Sequence, residues 1–249
     1  MVAYAELHCH SNFSFLAGSS HPEELADDAQ RQGLTALALT DFNGLYGVVR
    51  FSEAARSIGL PTVFGSEVTV QSADTTHSLV ILADGQPGYA RLSRALSLAQ
   101  LAGSKGDPRC TLDDLSDSAS GHWWVLTGCQ QGVVPATLMQ LGPNAALREL
   151  QRLVAAFGRD RVLVELWNHG DPLDSARNDA LVELAARCDV SCVATNNVYY
   201  ATPSARRLAT AMAAVNKRCS LSEVDVHLPA AATAHLRSGA EQSRHFARY

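Results

Sequence analysis

The 249-residue sequence contains no apolar run approaching the ~20 residues that a membrane span requires, so no membrane-crossing segment is expected. Its opening, Met-Val-Ala-Tyr-Ala-Glu, lacks the basic region and apolar core of a secretion signal, and the expected location is the cytoplasm. The six cysteines form no CxxC pair and show no disulfide-framework spacing, so reduced thiols are expected, several packing as small hydrophobes in apolar strands. Basic residues are in the minority. With 20 Lys+Arg against 25 Asp+Glu the net charge is -5, which argues against a surface that holds nucleic acid by phosphate neutralisation alone. A local arginine patch escapes that average, but if DNA is a partner another segment must carry most of the grip. There is no GxSxG elbow, no GxxxxGK[ST] loop and no GxGxxG fingerprint, leaving acyl transfer, P-loop hydrolysis and dinucleotide redox without support.

What is present is an alternation of two patterns. Apolar runs at about 4–8, 35–40, 61–70, 77–83, 123–127, 161–167 and 190–195 read as strands, several so continuously aliphatic that burial on both faces is implied. Helical patterns lie between them. One starts at His21-Pro22-Glu23-Glu24, with proline and two acids in its first turn, and stops at Gly33. A second spans 46–58 and ends at Gly59. A third spans 144–157, with Leu147, Leu150, Val154 and Phe157 on one face and Asn144 as its cap. A fourth opens at Asp174. The segment 103–121 reads as an irregular, solvated insertion. At this length one large core is the default, and the expected fold is an α/β protein, a distorted seven-stranded parallel (β/α)7 barrel.

Such a barrel gathers residues from its strand ends at one mouth. His8 and His10 lie two apart on the first strand, which points both imidazoles to one side and Cys9 to the other. Asp41, Glu67 and Cys129 also fall at or just after strand ends, while His77 opens its strand. Two imidazoles at that spacing can grip one cation. The bland readings are histidines satisfied by backbone, Glu67 as a buried hydrogen-bond partner, Asp41 as an acceptor behind the site or a helix cap, and Cys129 as a core thiol. His122, His169, His227, His235 and His245 form no constellation. Trp123-Trp124 and Tyr199-Tyr200 read as packing aromatics before base-stacking ones.

Seven blocks, ELHCHSNFSFLAG, ALALTDFNGLYGVVRF, GSEVTV, HSLVILADGQPGYARLSRALSLAQ, VLTGCQQG, VELWNHGDP and CVATNNVYYATPSARRL, together resemble the PHP (polymerase and histidinol phosphatase) domain. The likeness is to the domain that opens bacterial C-family DNA polymerase III α subunits, and within those to the error-prone, damage-tolerant branch. It covers nearly the whole chain. It implies residues 1–220 as the barrel and 221–249 as the start of a connection toward a polymerase body. It further implies a mouth holding up to three metal ions for phosphoester hydrolysis. By resemblance the first ion would be held by His8, His10, Glu67 and residue 197, the second by Glu67, His77 and Cys129, and the third by residues 17, 42 and 199.

The chain departs from that pattern. Ala17 stands where the family has an acid, Phe42 and Tyr199 where it has histidines, and Asn197 where it has an aspartate, so the third site is lost entirely. Two dications ~4 Å apart repel by roughly 16 kcal/mol at an effective dielectric of ~20, and carboxylates must offset it. Ala17 and Asn197 each remove one such charge, and Asn197 offers only a weak neutral oxygen. The expectation is therefore a structural module with a degenerate phosphoesterase site holding at most one Zn or Mn ion, joined in its parent to a polymerase that uses Mg. Expected partners are the remainder of that polymerase chain, DNA through the parent, and replication or repair accessory subunits. The competing expectation is a stand-alone metal-dependent phosphoesterase of the histidinol-phosphatase kind, or a 3′–5′ exonuclease.

Overall fold

The computed structural model of the protein describes residues 2–72, 75–224, 228 and 233–249; His227 and part of the 221–249 stretch lie outside them. The strands are β1 (Ala5–Glu6), β2 (Ala36–Leu39), β3 (Thr62–Ser72), β4 (Thr75–Ala83), β5 (Trp123–Leu126), β6 (Val162–Leu166) and β7 (Ser191–Ala194). The helices are α1 (Pro22–Gln32), α2 (Val48–Ile58), α3 (Gly85–Ala102), α4 (Leu112–Ala119), α5 (Val133–Leu141), α6 (Pro143–Phe157), α7 (Asp174–Cys188), α8 (Arg206–Lys217) and α9 (Gly239–His245). The seven strands form one sheet in sequence order. Its two ends meet where Cys9 bridges Val198, with His10 N donating to Val198 O at 2.8 Å and Val198 N to His8 O at 2.9 Å. The result is a distorted (β/α)7 barrel.

Alternation along the strands separates two cores. Leu37 and Leu39 face outward to Leu25, Ala29 and Phe51 of α1 and α2, while Ala38 faces inward. Leu79 and Ile81 likewise join the outer core under α3–α7, while Val80 and Leu82 face in. The inner floor is completed by Val63, Leu126, Leu163 and Val193. The same inward faces carry Glu67 midway along β3, Glu165 near the end of β6 and Thr195 just past β7, and His8 and Thr195 join the two carboxylates in one buried cluster.

Four expectations change. The sheet is not wholly parallel: β3–β4 and β4–β5 are antiparallel, because only two residues separate β3 from β4 in the sequence, too few for the crossover that a parallel pair needs. The segment 103–121 is not all irregular, since it contains α4. There Thr111 Oγ1 accepts from Asp114 N at 3.2 Å, the Asp114 carboxylate accepts from Thr111 N at 2.9 Å, and Leu115 is buried in the outer core. Asn144 is not a cap; Gly142 precedes the helix, Pro143 takes its first position and Asn144 lies within it. The second helix begins at Val48 and not at 46.

Local chemistry sets the other boundaries. Gly33 closes α1 with φ 71°, a left-handed conformation that costs glycine least, and its N–H caps Ala29 O and Gln30 O. Past α8, residues 233–249 return to the barrel: Leu236 enters the outer core beside α1 and Gln242 Nε2 donates to Thr195 O at 2.9 Å. Among the described residues no helix is long and apolar enough to cross a membrane.

Leu126 joins the inner floor with no exposure, so Leu126→Ala should cost about 2–5 kcal/mol through lost burial plus an unfilled cavity. Urea unfolding monitored by circular dichroism measures this, and a cost below ~1 kcal/mol would contradict a packed barrel interior.

Candidate metal centre

The mouth is organised by carboxylates that reach across strands. Glu67 Oε2 accepts from His8 Nε2 at 3.0 Å and from His10 Nε2 at 2.9 Å. His8 turns its other nitrogen, Nδ1, to Glu165 Oε1 at 2.7 Å, which also accepts from Thr195 Oγ1 at 2.5 Å and from Cys129 Sγ at 3.3 Å. Glu6 accepts from His8 N at 2.9 Å, Tyr4 Oη at 2.7 Å and Asn196 N at 2.9 Å, tying the first strand to the loop after the last. The two histidines, Glu6, Glu67, Cys129 and Glu165 are all buried.

Burial and charge pull against each other here. Burial alone would push His8 down, yet Glu165 and Cys129 beside its Nδ1 carry it well above the ordinary histidine value. Burial would raise Glu67, but the hydrogen bond from His10 and the charge and hydrogen bond of His8 hold it far below the usual carboxylate range. For Glu6 burial dominates and lifts it to about 7, against the opposing hydrogen bonds from His8 N, Tyr4 and Asn196 and the charge of His8. Burial, with Glu165 adding to it, also raises the Cys129 thiol, so without a cation it is a neutral donor.

Among the described residues two trios have ligand atoms within 4.8 Å of one another: His8, His10 and Glu67, and His8, Cys129 and Glu165. In the first, two of the separations are 2.9 and 3.0 Å, near the ~3.3 Å edge of a tetrahedron with metal–nitrogen bonds of ~2.0–2.1 Å. Glu165 at Nδ1 fixes the tautomer that would leave His8 Nε2 free to bind, an arrangement common around metal-ligating histidines. The donor set thus fits one divalent ion on His8, His10 and Glu67. His8 has only two ring nitrogens, and with Nε2 in that trio and Nδ1 held by Glu165 the second trio competes for it.

The remaining sequence candidates are placed unequally. His77 is not brought to the cluster. It pairs with Val70 on β3 and lines a groove on the outer side with Thr137 and Gln140, whereas Glu67 pairs with Val80 on the inward face. An odd offset of three residues from Val80 puts His77 on the opposite face of its strand, and the inward position belongs to Ser78, whose buried Oγ has no partner. Asp41 sits behind the site. It accepts from Ser11 N, Ser11 Oγ and Ser14 Oγ, each at 2.7 Å, and so pins the loop after His10. Gly18 closes that loop, since a Cβ there would lie 2.0 Å from Ser11 O. Asn197 is buried with φ 42° and its Oδ1 has no partner. Phe42 and Tyr199 sandwich His10, their ring centres 4.4 and 4.8 Å from its own and their planes nearly parallel to it, so aromatic faces fill the flanks of that imidazole.

Glu6 and Glu165 were not singled out from the sequence. Each was detectable as an acid inside an apolar strand, Ala-Glu-Leu and Val-Leu-Val-Glu-Leu, where an unpaired charge is too costly to stand without a partner.

Comparisons with known proteins follow the same outline. A family model described as PHP domain matches residues 6–169, which include both trios. The error-prone DNA polymerase of Mycolicibacterium paratuberculosis (strain ATCC BAA-968 / K-10) is 51% identical over 254 residues, covering 99% of this chain and 23% of that protein. The error-prone DNA polymerase of Cutibacterium acnes (strain DSM 16379 / KPA171202) is 49% identical over 259 residues, covering 100% of this chain and 23% of that protein. The chain therefore spans about a quarter of the length of these curated relatives. Among solved structures, a protein of Bifidobacterium adolescentis assigned as a metal-dependent phosphoesterase aligns with TM-score 0.57 at 17% identity, over 78% of this chain and 87% of that one. An amidohydrolase from Chromobacterium violaceum with bound sulfate aligns with TM-score 0.57 at 19% identity, over 80% and 88%. At these identities the likeness is one of fold.

The Glu6 assignment carries a sign. A buried acid raised to about 7 stabilises the fold fully below its unfolded value of ~4.5 and loses that contribution as pH rises through ~7. In EDTA, wild-type stability should fall between about pH 5 and pH 8 relative to Glu6→Gln, by an order of 3 kcal/mol. Parallel urea midpoints for the two chains across that range would contradict the assignment.

Proposed function

Because the chain belongs to the PHP domain family, we propose that it is the PHP module of an error-prone DNA polymerase, acting as a structural unit whose phosphoesterase site has largely lapsed. The observation that carries this reading is the Phe42–His10–Tyr199 stack. It sets two aromatic rings where the family resemblance expects ligands of a third ion, with Ala17 and Asn197 removing the charge that would hold a cluster together. Polymerisation, repair and lesion bypass belong in this reading to the rest of a longer chain, which would use Mg and supply most contacts to DNA and to accessory subunits.

On this reading residues 1–220 are the barrel, and 221–249 join it to the polymerase body through a segment anchored by Leu236 and by Arg237, whose Nη2 donates to Asn168 O at 3.1 Å. Cytoplasmic residence follows from the same role.

The mouth retains a place for one Zn or Mn ion on His8, His10 and Glu67, with Cys129 and Asn197 at its margin. Such an ion would supply Lewis acidity toward water or a phosphoester oxygen. The chain's own residues orient and neutralise. Glu165 fixes the His8 ring, Asp41 fixes the loop carrying Ser11, and Glu67 is shared between two imidazoles. No side chain at positions 17, 42, 197 or 199 is an anionic ligand for a second cation that would steady a leaving oxygen. His77, facing away, takes no part in this proposal.

A second reading, a working metal-dependent phosphoesterase or 3′–5′ exonuclease, draws on the nearly metal-ready His8–His10–Glu67 trio. Elemental analysis and an exonuclease assay with Mn or Zn on the full chain separate the two. The structural reading expects zero or one ion per chain and no turnover above background. Two or three ions with turnover abolished by His8→Ala would replace it with the second.

A further inference from the structure

Helix α8 sets its polar side toward the barrel and its apolar side toward solvent. Arg206, Thr210 and Lys217 are on the side that faces the barrel mouth, and of the helix's 12 residues only Ala214 is buried. At about 3.6 residues per turn the opposite face carries Leu208, Ala211, Met212 and Val215, the i, i+3, i+4, i+7 spacing of a helix–helix seam. Leu208 is 53% and Val215 62% exposed, and Leu221, also 62% exposed, follows just past the helix end. Single exposed apolar residues are ordinary, but a stripe at helical spacing on a helix that buries so little is a surface shaped for a partner.

Charge says which kind of partner. From Val190 to Ser222 the sequence has no Asp or Glu, yet it holds Arg206, Arg207, Lys217 and Arg218. The ion pairs among the described residues engage none of these four. In a chain whose acids outnumber its bases, the stripe is thus framed at both ends by unpaired cations, a local reversal of sign. A second copy of α8 does not suit it, since stripe against stripe sets cation against cation in either orientation. A lipid surface suits it little better, because α8 has no Trp, Tyr or Phe to seat in an interface. A contact kept permanently within one chain is more apolar and poorer in charge than this, whereas a small apolar strip ringed by cations has the composition of a surface that a separate protein joins and leaves.

We infer that this face of α8 docks a helix of another protein, one with an apolar stripe of its own and acidic residues about three turns apart to meet Arg207 and Arg218. The face lies outside residues 6–169 and on the side of α8 away from the mouth, so the inference is independent of whether the mouth cleaves phosphoesters.

The test is fluorescence anisotropy of a labelled helical peptide of ~18 residues, leucines at the same spacing with glutamates beside them, titrated with the full chain. Saturable binding is expected, at least tenfold tighter than for the same peptide with lysine in place of glutamate or with its leucines scrambled off one face. Leu208→Gln with Val215→Gln, at exposed positions where circular dichroism should be unchanged, should weaken binding about tenfold. Arg207→Glu with Arg218→Glu should reverse the preference toward the lysine peptide. No binding, equal binding of the three peptides, or indifference to both double variants would overturn the inference. So would any of three other occupants: self-association in sedimentation, or pelleting with phosphatidylglycerol vesicles, abolished by Leu208→Gln with Val215→Gln, or a longer polymerase chain containing this one that leaves the glutamate peptide unbound.

Discussion

One carboxylate oxygen organises this mouth. Glu67 Oε2 receives hydrogen bonds from His8 and His10, and His8 passes the connection on to Glu165, so residues 8, 10, 67 and 165 form a continuous bridge across the barrel. None of these groups has bulk water to stabilise its charge. Removing Glu67 takes from His8 one of its two carboxylate partners and from His10 the partner of its Nε2, and breaking a buried pair of this kind costs about 3–5 kcal/mol. The closure of the sheet between Cys9 and Val198 places both histidines at that bridge, so backbone topology and side-chain charge reinforce each other.

The same bridge offsets buried charge within the mouth itself, because imidazole and carboxylate face one another at hydrogen-bond distance. The flanks of His10 are then free to be occupied by Phe42 and Tyr199, whose stacking excludes water without adding charge. A barrel mouth in this condition remains packed beneath and open above.

Much of the architecture was legible in the residues. All seven strands lie where apolar runs occur, and α1 ends at Gly33 because only a left-handed residue could cap it there. The antiparallel β4 was not legible, since alternation is the same in either direction and only the length of the β3–β4 connection decides. The α4 helix was obscured by the polar residues Asp113, Asp114, Ser116 and Asp117, although Thr111 and Asp114 carried its capping signal. At the site, His8, His10 and Glu67 converge, whereas His77 does not, because one residue of register in a strand exchanges the two faces.

Alternating apolar runs and helical stripes by themselves determined an α/β barrel with polar residues at its strand ends, because burial of apolar surface is a short-range property of the chain. Which nitrogen meets which oxygen was decided only by tertiary structure. Glu165 is 157 residues from His8, and nothing local to either predicts a 2.7 Å contact. The same holds for the ring pair around His10. Those depend on how the sheet curls and closes, and curvature brings residues together by distance in space, to which spacing in sequence is blind.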